Sequence, residues 1–226
     1  MSRILLVRHG QASFGAADYD QLSTTGAEQS RVLGATLAAR DLTPDVLVVG
    51  EMVRHEQTAA GLLDGSGWST DVEVDTGWNE FDHLQVLAVH SQPSTAEGES
   101  EKAAFQRWFE EATRRWTSGD HDDDYDESFA AFSARVEAAL ARLVDSLPAG
   151  GTAVVLTSGG PVAWAAASLL ADTTTARTGL WLRLNPVSVN TGVSTVVCGS
   201  RGTTLVSFNA HDHLLSSGSP DLLTYR

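Results

Sequence analysis

A chain of 226 residues, 42% of them hydrophobic, is long enough for one globular domain whose core needs no disulfide or metal to hold it. Fifteen Lys and Arg stand against 29 Asp and Glu, a formal net charge of -14, which argues against nucleic acid and anionic lipid as partners. No apolar run approaches the roughly 18 residues of a membrane span, MSRILLVRHG lacks a leader's cleavage pattern, and lone Cys198 suits a reducing compartment, so a cytoplasmic protein is expected.

In chain order, RILLVR (3–8) reads as a buried strand, and TTGAEQSRVLGATLAAR as a helix with Thr25 and Glu28 at capping-box spacing. DVLVVG (45–50) is a second strand and 53–63 a second helix. TAVVLTSGG (152–160) is a third strand running into the helix PVAWAAASLL, with Pro161 in its first turn. VSTVVCG and TTLVSFN, joined by SRG, read as an antiparallel hairpin. The alternation predicts a three-layer α/β/α sandwich: a mostly parallel sheet, an antiparallel edge, and helices on both faces.

Between about 84 and 127 the pattern changes, and the stretch reads as a helical insertion in a single domain spanning 1–226. EKAAFQRWFEEATRRW is amphipathic, with Phe105, Trp108, Phe109 and Trp116 on or near one face. DHDDDYDE follows; Asp120, Asp122 and Asp124 alternate, but without the glycine and distal glutamate of a calcium loop it reads as a solvated turn. Phe129, Phe132, Val136, Leu140, Leu143 and Leu147 then mark one buried face of a long helix.

Open parallel sheets bind ligands beyond the carboxyl ends of their strands. Three predicted strands end in Arg8-His9-Gly10, in Gly50 leading to Arg54, and in Thr157-Ser158-Gly159-Gly160. Two guanidiniums, an imidazole and helix N-termini at one edge make an anion site suited to phosphate.

RHG after the first strand, RHEQTA at 54–59, NEF around Glu80, ESFAAFSARV at 127–136 and the late FNAHDHL resemble the histidine phosphatase superfamily, relatives of phosphoglycerate mutase. The likeness runs from about residue 3 to 214 and includes DYDQLSTTGAEQ. It implies a phosphatase acting on a small phosphorylated substrate. His9 would attack phosphorus, Arg8 and Arg54 would hold the phosphoryl oxygens, and Glu80 would protonate the leaving oxygen and then activate water. Ser158 and Gly159 would contact the phosphate, with Gln11 a further candidate; no metal or cofactor is implied.

The chain departs from the family pattern at three positions. The usual second histidine, in a His-Gly-Gly context, is Ser158; an asparagine seven residues past Arg8 is Gly15; a serine four residues before Arg54 is Gly50. His83, three residues past Glu80, is the candidate replacement for the missing imidazole. A mutase-type isomerase, and a degenerate phosphate-binding or interaction module, are the rival readings. Substrate identity and oligomeric state are not encoded in any pattern found.

Overall fold

A computed structural model describes residues 1–13, 20–94 and 98–225. Its elements, in order, are β1 (Ser2–Arg8), α1 (Thr24–Ala38), β2 (Val46–Val49), α2 (Val53–Ser66), β3 (Val72–Val74), α3 (His83–Ala88), α4 (Glu101–Ser118) and α5 (Phe129–Ser146). There follow β4 (Thr152–Thr157), α6 (Gly159–Leu170), α7 (Thr174–Leu184), β5 (Val193–Gly199), β6 (Gly202–Ala210) and α8 (Asp212–Ser216). Among the described residues no helix is long and apolar enough to cross a membrane.

The strands form one sheet in the order β3-β2-β4-β1-β5-β6. The pairs β3-β2, β2-β4 and β4-β1 are parallel, and β5 turns antiparallel against β1 before pairing with β6. The expected mostly parallel sheet with an antiparallel edge is therefore present. Strand β3, which the sequence pattern did not reveal, is a three-residue edge whose residues are all exposed, so it carries no burial signal.

Alternation along the central strands divides the core in two. Leu5, Val7, Leu47, Val49, Val154 and Leu156 share a cluster with Leu33 and Leu37 of α1 and Ala59 and Leu62 of α2. Ile4, Leu6, Val48, Ala153 and Val155 lie on the opposite pleat, equally buried. Helix α6 is buried through nine consecutive residues from Gly159 to Ala167, which explains why its pattern is apolar all round rather than amphipathic.

Helix α1 is capped by Ser23, whose hydroxyl accepts from the Gly26 amide, not through Thr25 and Glu28. The helix begins two positions earlier than a Thr25 cap requires, and Glu28 is left to pair with Arg31 on the surface.

The chain gathers into two compact units, Met1–Glu80 with Val136–Arg226, and Phe81–Arg135. The second contains α3, α4 and the first turns of α5. Its core is aromatic: Trp116 stacks on Phe81 at 4.6 Å and meets Phe129 edge-on at 5.0 Å. The Trp116 indole donates to the Glu127 carbonyl. Phe105, expected on the same buried face, is instead exposed. The acidic stretch is tied back to α4 by Arg115, which pairs with Asp124, and among the described residues no cluster of ligands for a metal occurs.

Candidate functional site

Strands β2, β4 and β1 are neighbours, and Val49, Leu156 and Val7 stand abreast, so the residues after them reach one edge together. Gly50, Thr157 and Arg8 come next, then Ser158 and His9. Parallel pairing at equal register thus delivers the candidate residues to a common level.

His9 is held rigidly. Its amide donates to the Thr157 carbonyl at 2.7 Å, its carbonyl accepts from the Asn190 side-chain amide at 3.1 Å, and Nδ1 lies 2.6 Å from the Gly10 carbonyl. A carbonyl can only accept, so Nδ1 carries the proton and Nε2 presents its lone pair. Burial, followed by Arg54, Arg8 and His55, pushes the His9 pKa well below the ordinary imidazole value, which keeps the ring neutral.

The glycine of RHG is there for space. A Cβ on Gly10 would overlap the Gly26 carbonyl oxygen and stand 2.9 Å from its carbon, so the strand end can meet α1 only without a side chain. Gly10 also donates to Thr58 Oγ1 at 3.1 Å, joining β1 to α2. Gln11 serves this junction too: its amide donates to Gln29, and its side-chain oxygen accepts from Ser23 at 2.9 Å. That carbonyl is committed to scaffolding.

Arg8 donates through Nη1 to the carbonyls of Ser188 and, at 2.7 Å, Tyr225. The chain near residue 225 is therefore part of the site's frame. Thr191 carries φ of 57°, strained for a β-branched residue. Its amide bonds to the Arg8 carbonyl at 3.0 Å and its hydroxyl to His213 Nε2 at 3.0 Å, which holds it there. Burial, with smaller effects from His211 and Arg40, pushes His213 down to about 4.

Arg54, in the first turn of α2, is buried. Nη1 pairs with Asp20 at 2.6 Å, and the same carboxylate accepts from the Val53 amide at 2.9 Å, neutralising that helix start. Nη2 lies 3.5 Å from the Ser158 hydroxyl. Glu80 accepts from the Gly160 amide at 3.1 Å, so the N-terminus of α6 holds this carboxylate. Gly159 backs onto Arg8, whose Nε would lie 3.6 Å from an added Cβ.

His9, Arg8, Arg54, Ser158, Gly159 and Glu80 are thus gathered around the ends of β1 and β4 and the start of α6. His83 opens α3 in the second unit, following the capping residue Asp82. An imidazole found at Ser158 is that of His55, whose Nε2 is 2.8 Å from the Ser158 oxygen and whose ring centre is 5.8 Å from that of His9. Burial, then the Arg54 charge, drives His55 down to about 3, and the Gly50 backbone opposes this with a smaller effect. The sequence offered one sign of it, a histidine inside RHEQTA beside Arg54. Asp20 stands within DYDQLSTTGAEQ but was given no role, and Asn190 carried no sign at all. Gly15 lies outside the described residues.

The pattern of the histidine phosphatase superfamily (branch 1) matches residues 4–211. No curated protein sequence matches the chain significantly. Among solved structures, a phosphoserine phosphatase variant from Entamoeba histolytica bound to phosphoserine is 20% identical, with a TM-score of 0.68 over 95% of this chain and 100% of that one. The alpha-ribazole phosphatase of Shigella flexneri is 20% identical, with a TM-score of 0.61 over 92% and 96%. A mycobacterial glucosyl-3-phosphoglycerate phosphatase is 22% identical, with a TM-score of 0.59 over 92% and 98%. The likeness in fold accompanies a family match over nearly the whole length, and the chain belongs to branch 1 of the histidine phosphatase superfamily.

Proposed function

We propose that this chain is a metal-independent phosphomonoesterase that works through a phosphohistidine on His9. One observation carries the reading: Nδ1 of His9 is tied to the Gly10 carbonyl, which leaves Nε2 as an unprotonated nucleophile in a neutral ring flanked by the charges of Arg8 and Arg54.

In the first step Nε2 forms a bond to phosphorus while the bond from phosphorus to the ester oxygen breaks. A protonated Glu80 gives its proton to that oxygen, and the alcohol departs. In the second, Glu80 takes a proton from water as the water oxygen attacks the phosphohistidine, releasing inorganic phosphate and neutral His9. Arg8 and Arg54 offset the charge on the phosphoryl oxygens in both transition states. The net charge of -14 repels extended polyanions, so a compact ester with one phosphate suits the small cationic pair. The folds shared with phosphoserine, alpha-ribazole and glucosyl-3-phosphoglycerate phosphatases favour hydrolysis over isomerisation.

Turnover of 4-nitrophenyl phosphate, with acid-quench trapping of the phosphoenzyme, tests the reading. We expect wild type to turn over and to trap phosphate on His9, and His9→Ala to do neither while keeping its melting temperature. An alanine variant near the wild-type rate refutes the mechanism, and an inert wild type that still binds phosphate favours the binding-module alternative.

A further inference from the structure

From the geometry we infer that His55 is a positioning residue for the phosphoryl site: it fixes the Ser158 hydroxyl so that the hydroxyl's proton is directed to the bound phosphoryl group. The inference rests on the phosphatase reading of the site, and names a residue to which that reading gives no role.

His55 lies in the first turn of α2, next to Arg54, and is fully buried. Such an imidazole in a fold's interior needs a polar partner, and Nε2 has one in Ser158 at 2.8 Å. Ser158 is itself fully buried and stands at the start of α6, yet its hydroxyl caps no amide of that helix. A serine at this position ordinarily spends its oxygen on the second or third helical amide. Here the oxygen faces His55 and the guanidinium of Arg54 instead. The inference takes the tautomer with the proton on Nε2: Nε2–H and Arg54 then donate to the oxygen, and the oxygen's own proton is left to serve an acceptor in the anion site. The ring fits because residue 50 has no side chain: a Cβ on Gly50 would stand 2.5 Å from His55 Nδ1 and 2.8 Å from Asn79 Oδ1. Gly50, His55 and Ser158 form one packed unit, and they include two of the three departures from the family pattern. The groups facing the ring are Arg54, His9, Ser158 and the Gly50 backbone, and burial with the Arg54 charge keeps the ring a neutral hydrogen-bonding group.

The test uses His55→Leu, His55→Gln, Ser158→Ala and the double variant His55→Leu/Ser158→Ala. Each is read by kcat/KM on 4-nitrophenyl phosphate from pH 5 to 8, by affinity for inorganic phosphate, and by melting temperature. A glutamine amide nitrogen occupies about the place of Nε2 and donates without titrating. We expect His55→Leu to lose up to about tenfold, as Ser158→Ala does, because each removes one neutral hydrogen bond. The double variant should be no worse than either single one. His55→Gln should stay within about twofold of wild type, with an unchanged pH profile.

Multiplying losses, a silent leucine variant beside an impaired Ser158→Ala, or a glutamine variant as poor as leucine at an intact melting temperature would each overturn the inference. If the leucine variant does not fold, Gly50→Ala, which crowds the ring away from Ser158, replaces it with the same expectation. If wild type fails to turn over, the phosphatase reading fails by itself. Phosphate affinity across the same variants then still decides whether His55 and Ser158 act as one.

Discussion

Lowering the pH from 7 to 5 should destabilise this protein before its carboxylates titrate, because the fold buries three histidines in their neutral form. Unfolded histidine titrates near 6.5, whereas His55 is held at about 3, His213 at about 4 and His9 well below its ordinary value. Between the two values the unfolded chain binds more protons than the folded one, so stability falls as pH falls. Integrating from pH 7 to 5, His55 and His213 each remove about 2 kcal/mol, about 4 kcal/mol together, and His9 adds in the same direction. For a domain of this size that corresponds to a melting temperature lower by roughly 8–16 °C. Denaturant titrations at pH 7, 6 and 5 measure the slope directly. His213→Gln removes one titrating ring and should flatten it by about 1.4 kcal/mol per pH unit below 6. A variant with the wild-type slope, or a wild type equally stable at pH 5 and 7, would refute the claim that these rings are buried neutral.

Glu80→Gln should slow alkyl phosphates by about 10²–10⁴ and 4-nitrophenyl phosphate far less, since nitrophenolate leaves without a proton; steady-state kinetics on both substrates decide it, and equal losses remove Glu80 from the acid role. Gly10→Ala forces a methyl into the Gly26 backbone, where neither side can yield, and should lower stability by about 1–3 kcal/mol or more while displacing the partner of His9 Nδ1; calorimetry and kcat together check this. Activity should survive EDTA, because the proposed chemistry needs only His9, two arginines and Glu80; loss on chelation with recovery on adding magnesium or zinc would contradict it.

The strands that build the site were readable because each is a continuous apolar run ending in polar or glycine residues. RILLVR and DVLVVG mark β1 and β2 within one residue at each end, and TAVVLTSGG starts with β4 but runs three residues past it, into the first turn of α6. Their convergence followed from parallel topology alone. Arg54 was readable for the same reason, standing in the first turn of the helix after β2. What the pattern hid was long-range. Asp20, within DYDQLSTTGAEQ, meets Arg54 across 34 positions and Asn190 meets His9 across 181, and no local pattern marks either pairing. His83 attracted attention by its nearness to Glu80 in sequence, whereas the ring beside Ser158 comes from His55, 103 positions away. Burial of an imidazole against the end of a neighbouring strand leaves no periodic trace, and only the small residue at 50 hints at the room it needs.

The interlock of Gly50, His55 and Ser158 also constrains how such a site can change by mutation. Bulk added at 50 meets the ring at Nδ1, and a histidine introduced at 158 would bring a second ring into a fully buried place already opposed by His55. Either step alone overpacks a dehydrated interior. The order is therefore forced: the ring at 55 must shrink first, and the route between the two arrangements passes through an intermediate with no imidazole at either position. Grafting a histidine onto position 158 in the unmodified chain should therefore lower its stability rather than restore a missing function.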